Sequence, residues 1–295
     1  MLLKTIGYHI SAGVILFSLS TALVPQNAAA QSSTQVLTPF GYRDAANVHF
    51  VPQGFSLTTM PDGHIRMENP KTGAHVDFPV PDVTESRVPF TDNGWITYAS
   101  WLNRTGSPVK SFTTTWTVPP APSTYDGQTL FQFNSIEPNS GTAILQPVLQ
   151  YGPSAAGGGK DWAVASWYVT GNQAYYSSLV TVSVGQSLTG VITYVGKTNK
   201  KFDYTCEFTG ISGTDFSINQ IAQLTWCTET LEVYSVDECS QFPNTAYSQM
   251  SKMNVRTNKG TPSINWGVTN AATSCGVQTT VVTNGATDAA VNIYY

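Results

Sequence analysis

The chain has 295 residues, only 11% of them charged, with a formal net charge of -4 and four histidines. No run of lysine and arginine can follow a phosphate backbone, which excludes nucleic acid as a partner. Sparse charge also leaves few carboxylate pairs to break on acidification, which is compatible with work at low pH.

The chain begins Met-Leu-Leu-Lys, continues through the mostly apolar "ISAGVILFSLSTALV", and reaches "PQNAAAQ". A basic start, a short apolar core and small residues before Gln31 make residues 1–30 a secretory signal peptide, with cleavage expected after Ala30. The apolar part is short for a membrane span of about 20 residues, and no other segment is long and apolar enough. The expected mature protein is a soluble, extracellular monomer with no membrane partner.

Residues 31–90 differ in texture from the remainder of the chain. "FSLTTMPDGHIRMENPKTGAHVDFPVP" alternates like short strands joined by the turns Pro61-Asp62-Gly63 and Asn69-Pro70-Lys71-Thr72-Gly73. It then runs through Pro79, Pro81 and Pro89, as a linker does. This region is read as a propeptide, the alternative being the first hairpins of the main fold.

From residue 91 to 295 strand follows strand. "GWITYASWL", "SFTTTWTVP", "TLFQFNSI", "SLVTVSV", "SLTGVITYV", "FDYTCEFTGI", "IAQLTWCTETLEVY", "VQTTVVT" and "AAVNIYY" are rich in threonine, valine, isoleucine and aromatics. Glycine, proline, asparagine and serine punctuate them at β-sandwich intervals, and no segment sustains a 3.6-residue apolar period. The expected fold class is all-β, a sandwich of two antiparallel sheets.

His9, His49, His64 and His75 all precede this region. A core without imidazole excludes Ser-His-Asp and Cys-His catalysis and the usual catalytic zinc site, so no metal or cofactor is expected. Asp-Thr-Gly and Asp-Ser-Gly, the marks of paired catalytic aspartates, do not occur. "AAGGGK", residues 155 to 160, lacks the spacing of a phosphate-binding loop and reads as a loop between strands. Acid–base chemistry must come from few carboxylates, among them Glu137, Glu207, Glu229, Glu232 and Glu238.

In "LTWCTETLEVY", alternation puts Trp226, Thr228, Thr230, Glu232 and Tyr234 on one face and Cys227, Glu229, Leu231 and Val233 on the other. The first face, aromatic, hydroxylic and acidic, suits a substrate groove, and Glu232 is its acid. A bulge would give that place to Glu229 instead. In "TAILQPVLQY", Gln146 shares a face with Thr142, Ile144, Val148 and Gln150. Pro147 cannot donate to a ladder, so an edge or a bulge is expected there. On pattern alone Gln146 is a solvated strand amide.

Ile144-Leu145-Gln146, the following Trp167-Tyr168, and the strand Val180 to Val184 closed by Gly185-Gln186-Ser187 resemble the glutamic peptidases (eqolisins), secreted acid endopeptidases. "NGWITYASW" and "TTTWTVPPAP" are similar to that family's Asn-Trp opening and its strand ending in Val-Pro. "TETLEVYSVDEC" lies where the family carries its catalytic glutamate. The resemblance spans roughly residues 93 to 234. It departs from the family at Ser166, where a glutamate often stands, and at Thr228, where the first of two glutamates belongs.

The resemblance implies a concanavalin-like sandwich, protein or peptide substrates, and a catalytic pair of Gln146 and Glu232. Glu232 would activate water and return the proton to the departing amine, while Gln146 stabilises the oxyanion. Trp167, Tyr168, Trp226 and Tyr234 would hold the substrate. Two other readings stay open: a non-catalytic sandwich whose aromatic face binds carbohydrate or a wall polymer, and a glycosidase, which needs two carboxylates about 5 to 9.5 Å apart.

Cys206, Cys227, Cys239 and Cys275 suggest two disulfides in an oxidising compartment. If "FDYTCEF" and "LTWCTET" are neighbouring strands, Cys206 pairs with Cys227 and Cys239 with Cys275. The sequon at Asn103 would accept a glycan in a eukaryotic host.

Overall fold

β-Branched and aromatic side chains favour extended backbone, and here they build two large sheets packed face to face as a β-sandwich. The computed structural model describes residues 34–82 and 93–295, all within one compact unit. The expected signal peptide lies outside the described residues.

The first sheet has nine strands. From edge to edge it runs Gly267–Asn270, Gly94–Leu102, Trp226–Tyr234, Thr129–Glu137, Ala143–Tyr151, Trp162–Thr170, Gln173–Tyr176 and Val48–Phe50, with the short Val180–Thr181 also on Trp162–Thr170. The second has ten: Gln278–Thr283, Ala289–Tyr294, Tyr247–Thr257, Val109–Thr117, Ser187–Thr198, Lys201–Phe208, Phe216–Ile221, Ser56–Thr59, Ile65–Glu68 and His75–Phe78. Between them lies a core that includes Leu145, Leu149, Ile136, Phe112, Trp116 and Tyr204.

Two pairings depart from the antiparallel expectation. Val48–Phe50 runs parallel to Gln173–Tyr176, and Ser56–Thr59 parallel to Phe216–Ile221. Both newcomers arrive from the N-terminal region, with no hairpin to the strand they join, so no turn dictates their direction. One stretch of chain thus extends both sheets, and residues 34–82 are woven into the sandwich.

Pro147 is neither at an edge nor in a bulge. Leu145 faces Ile136 and Val148 faces Phe133 across one neighbour, and the pairing with Trp162–Thr170 is continuous on the other. The proline ring fits because Gly190 stands opposite it in the second sheet. A Cβ there would come 2.8 Å from Pro147 Cγ, so glycine is what leaves the room.

Lys201–Phe208 and Trp226–Tyr234 fall in different sheets, which corrects the expected Cys206–Cys227 bridge. Both thiols are free and buried, whereas Cys239 and Cys275 form a disulfide with α-carbons 5.4 Å apart. Asn103 is also corrected as a glycan acceptor. It is buried, with Nδ2 donating to Ser107 O at 2.7 Å and Oδ1 accepting from Thr105 N and Oγ1.

Thiol titration should find no reactive cysteine in the native protein and two after denaturation. Reducing the remaining disulfide, whose ends are 36 residues apart, should cost up to about 4 kcal/mol of stability by the chain-entropy relation, seen as a lower denaturation midpoint.

Candidate active site

Alternation along the first sheet sorts its residues into two sets. Leu145, Leu149, Ile136 and Leu231 turn toward the second sheet. Ile144, Val148, Phe131, Phe133, Ala165, Trp167 and Tyr234 form a separate apolar cluster on the opposite, outer face. By the same parity Gln146, Ser135, Glu137, Thr228, Thr230 and Glu232 share that outer face.

The register places the two glutamates on different faces of the sheet. Trp226–Tyr234 pairs without a break along Thr129–Glu137, so its alternation is intact. A bulge is present, but on the other neighbour: Leu231 faces Thr97 and Glu232 faces Trp95, so Ile96 is the extra residue. Trp95 thereby joins the outer cluster while Ile96 joins the inner core. Glu232 stays outside.

Glu229 points inward, where Thr114 Oγ1 of the second sheet donates to its Oε1. Burial pushes its carboxyl well above the ordinary carboxylate range, and the Thr114 bond offsets only part of that. Enclosed between the sheets, it cannot meet a substrate.

Glu232 is fully buried, yet it has donors. Phe40 N donates to Oε1 at 2.8 Å, and Tyr234 Oη donates to the same oxygen at 2.6 Å. Burial raises its carboxyl to about 7; the Tyr234 and Phe40 bonds and the charge of Arg43 act in the opposite direction.

Gln146 is also fully buried, and neither atom of its amide bonds to another described residue. Leaving such a group unsatisfied costs about 1–3 kcal/mol, a cost that a hydrogen-bonding group on the outer face would remove. Trp167 stands directly opposite on the next strand, its ring stacked on Tyr176 with centroids 5.0 Å apart.

The two candidates share a face but do not touch. Glu232 is level with Phe131, which is level with Gln150, four residues beyond Gln146 on the same strand. Two strand spacings and four residue rises put their α-carbons about 16 Å apart. Side chains stand roughly perpendicular to the sheet, and Glu232 Oε1 is held by Tyr234 on the side away from Gln146, so the amide and the carboxyl stay apart in this conformation. Midway, level with Thr230, stands Phe133. Beside it runs a polar line: Ser135 Oγ lies 2.7 Å from Thr228 Oγ1, which lies 2.9 Å from Thr230 Oγ1.

The remaining expected site residues divide. Trp226 is on this face, stacked on Trp95 at 5.9 Å between centroids. Tyr234 is there too, but its hydroxyl serves Glu232. Tyr168 is not: next to Trp167 in a regular strand it must face the other way, and it packs in the core against Tyr175. Gln150 is used structurally. Its Nε2 donates to Gly152 O and Gly157 O at 2.7 and 2.8 Å, and its Oε1 accepts from Ser154 Oγ, pinning the loop that contains "AAGGGK".

Sequence reasoning left out Phe133, Glu137, Trp95 and Phe40 as site residues. The first two follow from parity in "TLFQFNSIE", had that strand been read by face. Phe40 is separated from Glu232 by 192 residues and had no local signal. Among the described residues no cluster of three histidine, cysteine, aspartate or glutamate side chains is arranged to hold a metal ion.

No family model matches the chain, and no curated protein does. Among solved structures it is similar to scytalido-glutamic peptidase bound to a peptide-based transition state analog: 15% identical, covering 69% of this chain and 98% of that one, TM-score 0.46. A second structure of that peptidase, with a transition state analog inhibitor, is 17% identical over 69% and 98%, TM-score 0.44. SCP-B, a member of the eqolisin family in complex with the tripeptide Ala-Ile-His, is 14% identical over 69% and 98%, TM-score 0.41. At these identities and TM-scores the likeness assigns no activity, which has to come from this chain's own residues.

Of the three buried glutamates, Glu137, Glu229 and Glu232, the last two bias the protein toward acid. In the unfolded chain each loses its proton near pH 4.5, while in the folded chain both hold it higher. Between those limits the native state binds more protons, so stability is fully present below about pH 4.5 and falls as pH rises. Urea denaturation at a series of pH values should show that fall, at up to about 1.4 kcal/mol per pH unit for each carboxyl. Glu229→Gln should make the profile shallower.

Proposed function

We propose that this protein is a secreted acid endopeptidase of the glutamic type, with Glu232 as general base and acid and Gln146 as oxyanion donor. One observation carries the reading. A buried amide with no partner among the described residues and a buried carboxyl raised to about 7 share one aromatic-lined face, on opposite sides of Phe133.

A peptide lying over Phe133 presents its carbonyl to both groups when the two side chains extend toward it. For Glu232 that movement means leaving the bonds to Phe40 N and Tyr234 Oη, and a hydrogen bond of about 2.7 to 2.9 Å is then made at each end of the tetrahedral centre. Glu232 takes a proton from water, whose oxygen bonds to the carbonyl carbon. Gln146 Nε2–H donates to the resulting oxyanion. As the carbon–nitrogen bond breaks, Glu232 returns the proton to the leaving amine. Glutamine suits this place because it keeps its donor at any acidic pH.

The polar line from Ser135 to Thr230 supports the reading, since it offers hydroxyls to an extended backbone between the two groups. Tyr234 favours the ionised form of Glu232 and offsets part of the burial, but the carboxyl still stands at about 7. The carboxylate therefore predominates only above that pH, and the acid limb of the activity profile is expected near neutral pH while the site is this buried. Secretion through residues 1–30 and action on protein outside the cell belong to the same proposal.

The other readings fit less well. For a glycosidase the second carboxyl on this face is Glu137. It is level with Trp226, six residues from Glu232, so their α-carbons are about 20 Å apart along the strands, and side chains standing out from the sheet do not bring the carboxyls into the glycosidase range. A carbohydrate-binding face would give no role to a buried amide and a buried carboxyl set among its aromatic rings.

The test is digestion of denatured protein by the purified chain from about pH 2 to 8, with an aspartic-protease inhibitor present. Cleavage should persist in the inhibitor. Gln146→Ala should lower kcat about 100- to 1000-fold with little change in fold. Glu232→Gln should abolish turnover, and cleavage surviving in that variant refutes the assignment. Tyr234→Phe removes a bond that favours the carboxylate, so the acid limb of the kcat/KM profile should move to higher pH.

A further inference from the structure

The segment Thr38–Gly41 links the two strands of a small separate sheet, Gln35–Thr38 and Gly41–Asp44. Phe40 sits in the left-handed region with φ 79°, uncommon for a residue with a Cβ and costly for a bulky one. That backbone aims one group: Phe40 N donates to Glu232 Oε1 at 2.8 Å. The ring is buried in the outer aromatic cluster with Phe131 and Tyr234, edge-on to Trp95 at 6.1 Å between centroids.

The turn is held from several sides. Thr38 Oγ1 donates to Gly41 O at 2.6 Å, and Arg43 Nη1 to Phe40 O at 3.0 Å. Ala155 N donates to Leu37 O at 2.7 Å, and Tyr42 packs edge-on against Tyr234 at 5.6 Å. A strained residue restrained this thoroughly, with its N–H on the candidate base, marks a place where backbone geometry has been set for a purpose.

The nitrogen on Glu232 belongs to the Pro39–Phe40 peptide bond. In peptide hydrolysis by this pair, the nitrogen that Glu232 protonates is the amide nitrogen on the departing side of the scissile bond. We propose that the Thr38–Gly41 turn occupies the site as a substrate would, with Phe40 in the place of the residue whose amine departs, and that the pocket of Trp95, Phe131 and Tyr234 is a subsite selecting an aromatic side chain there. This rests on the peptidase reading and adds a substrate class and a built-in block to it. The turn blocks and is not a productive substrate because it engages half of the machinery. Its N–H meets Glu232, while the amide of Gln146 bonds to no described residue, leaving the Pro39 carbonyl without that oxyanion donor.

The test uses the full chain and two peptides identical except for phenylalanine or alanine on the amine side of one cleavable bond. Wild type should cleave the phenylalanine peptide with kcat/KM about tenfold or more above the alanine peptide. Phe40→Gly keeps the left-handed backbone at no steric cost and removes only the ring, and it should raise kcat/KM on the phenylalanine peptide at least severalfold. A product-like peptide beginning with phenylalanine should inhibit wild type competitively, and more strongly than its alanine counterpart; this needs no variant to fold. Equal cleavage of the two peptides, equal inhibition, and no gain in Phe40→Gly would overturn the inference while leaving the peptidase reading in place. No cleavage of any peptide by either protein, together with no binding of either product-like peptide by Phe40→Gly, would remove the peptidase reading, and this inference with it.

Discussion

The candidate site depends on the continuous pairing of four central strands, Trp226–Tyr234, Thr129–Glu137, Ala143–Tyr151 and Trp162–Thr170. Because side chains alternate with a period of two, a single slip anywhere among them would send Gln146 or Glu232 into the core and bring leucines to the outer face. Burial on both faces penalises such a slip. Pro147 is tolerated in the middle because Gly190 leaves space for its ring. The one irregularity near the site lies in the neighbouring strand, where the bulge at Ile96 turns Trp95 outward beside Glu232 without disturbing the glutamate.

Two glutamates three positions apart thus enter different environments. Glu229 is sealed between the sheets with a threonine partner, and its environment favours the neutral acid. Glu232 is equally buried, but a tyrosine hydroxyl and a backbone N–H converge on one of its oxygens and offset part of the desolvation. Both carboxyls bind protons more tightly in the folded chain than in the unfolded one. These two groups contribute stability that is present in acid and lost as pH rises.

The N-terminal region connects fold and site. Its first described strands flank a turn on the outer face whose backbone meets Glu232, and the strands that follow extend the edge of each sheet. Its attachment is by ladders and packing in several places, so the turn is held against the site by the same elements that close the sandwich. Cys206 and Cys227 belong to the interior in the same sense: in an all-β core they behave as small apolar residues.

The sequence by itself determined the all-β class, since threonine, valine and aromatic runs with turn residues between them admit little else. It also determined which residues alternate together, so that Gln146 and Glu232 could each be assigned a face from local pattern. It did not reveal Tyr247–Thr257, whose polar residues and break between Met250 and Met253 hide the period of two. Nor could it say that Tyr168 faces the core while Trp167 faces the site, until one residue of that strand was anchored to a neighbour. The tertiary structure alone decided which strands are neighbours, and therefore that Cys206 and Cys227 lie in different sheets and that Phe133 stands between the two candidate catalytic residues. It alone placed Phe40 on Glu232. Local pattern reports the direction in which a side chain points, whereas strand order and register, set by contacts between distant residues, decide what it meets.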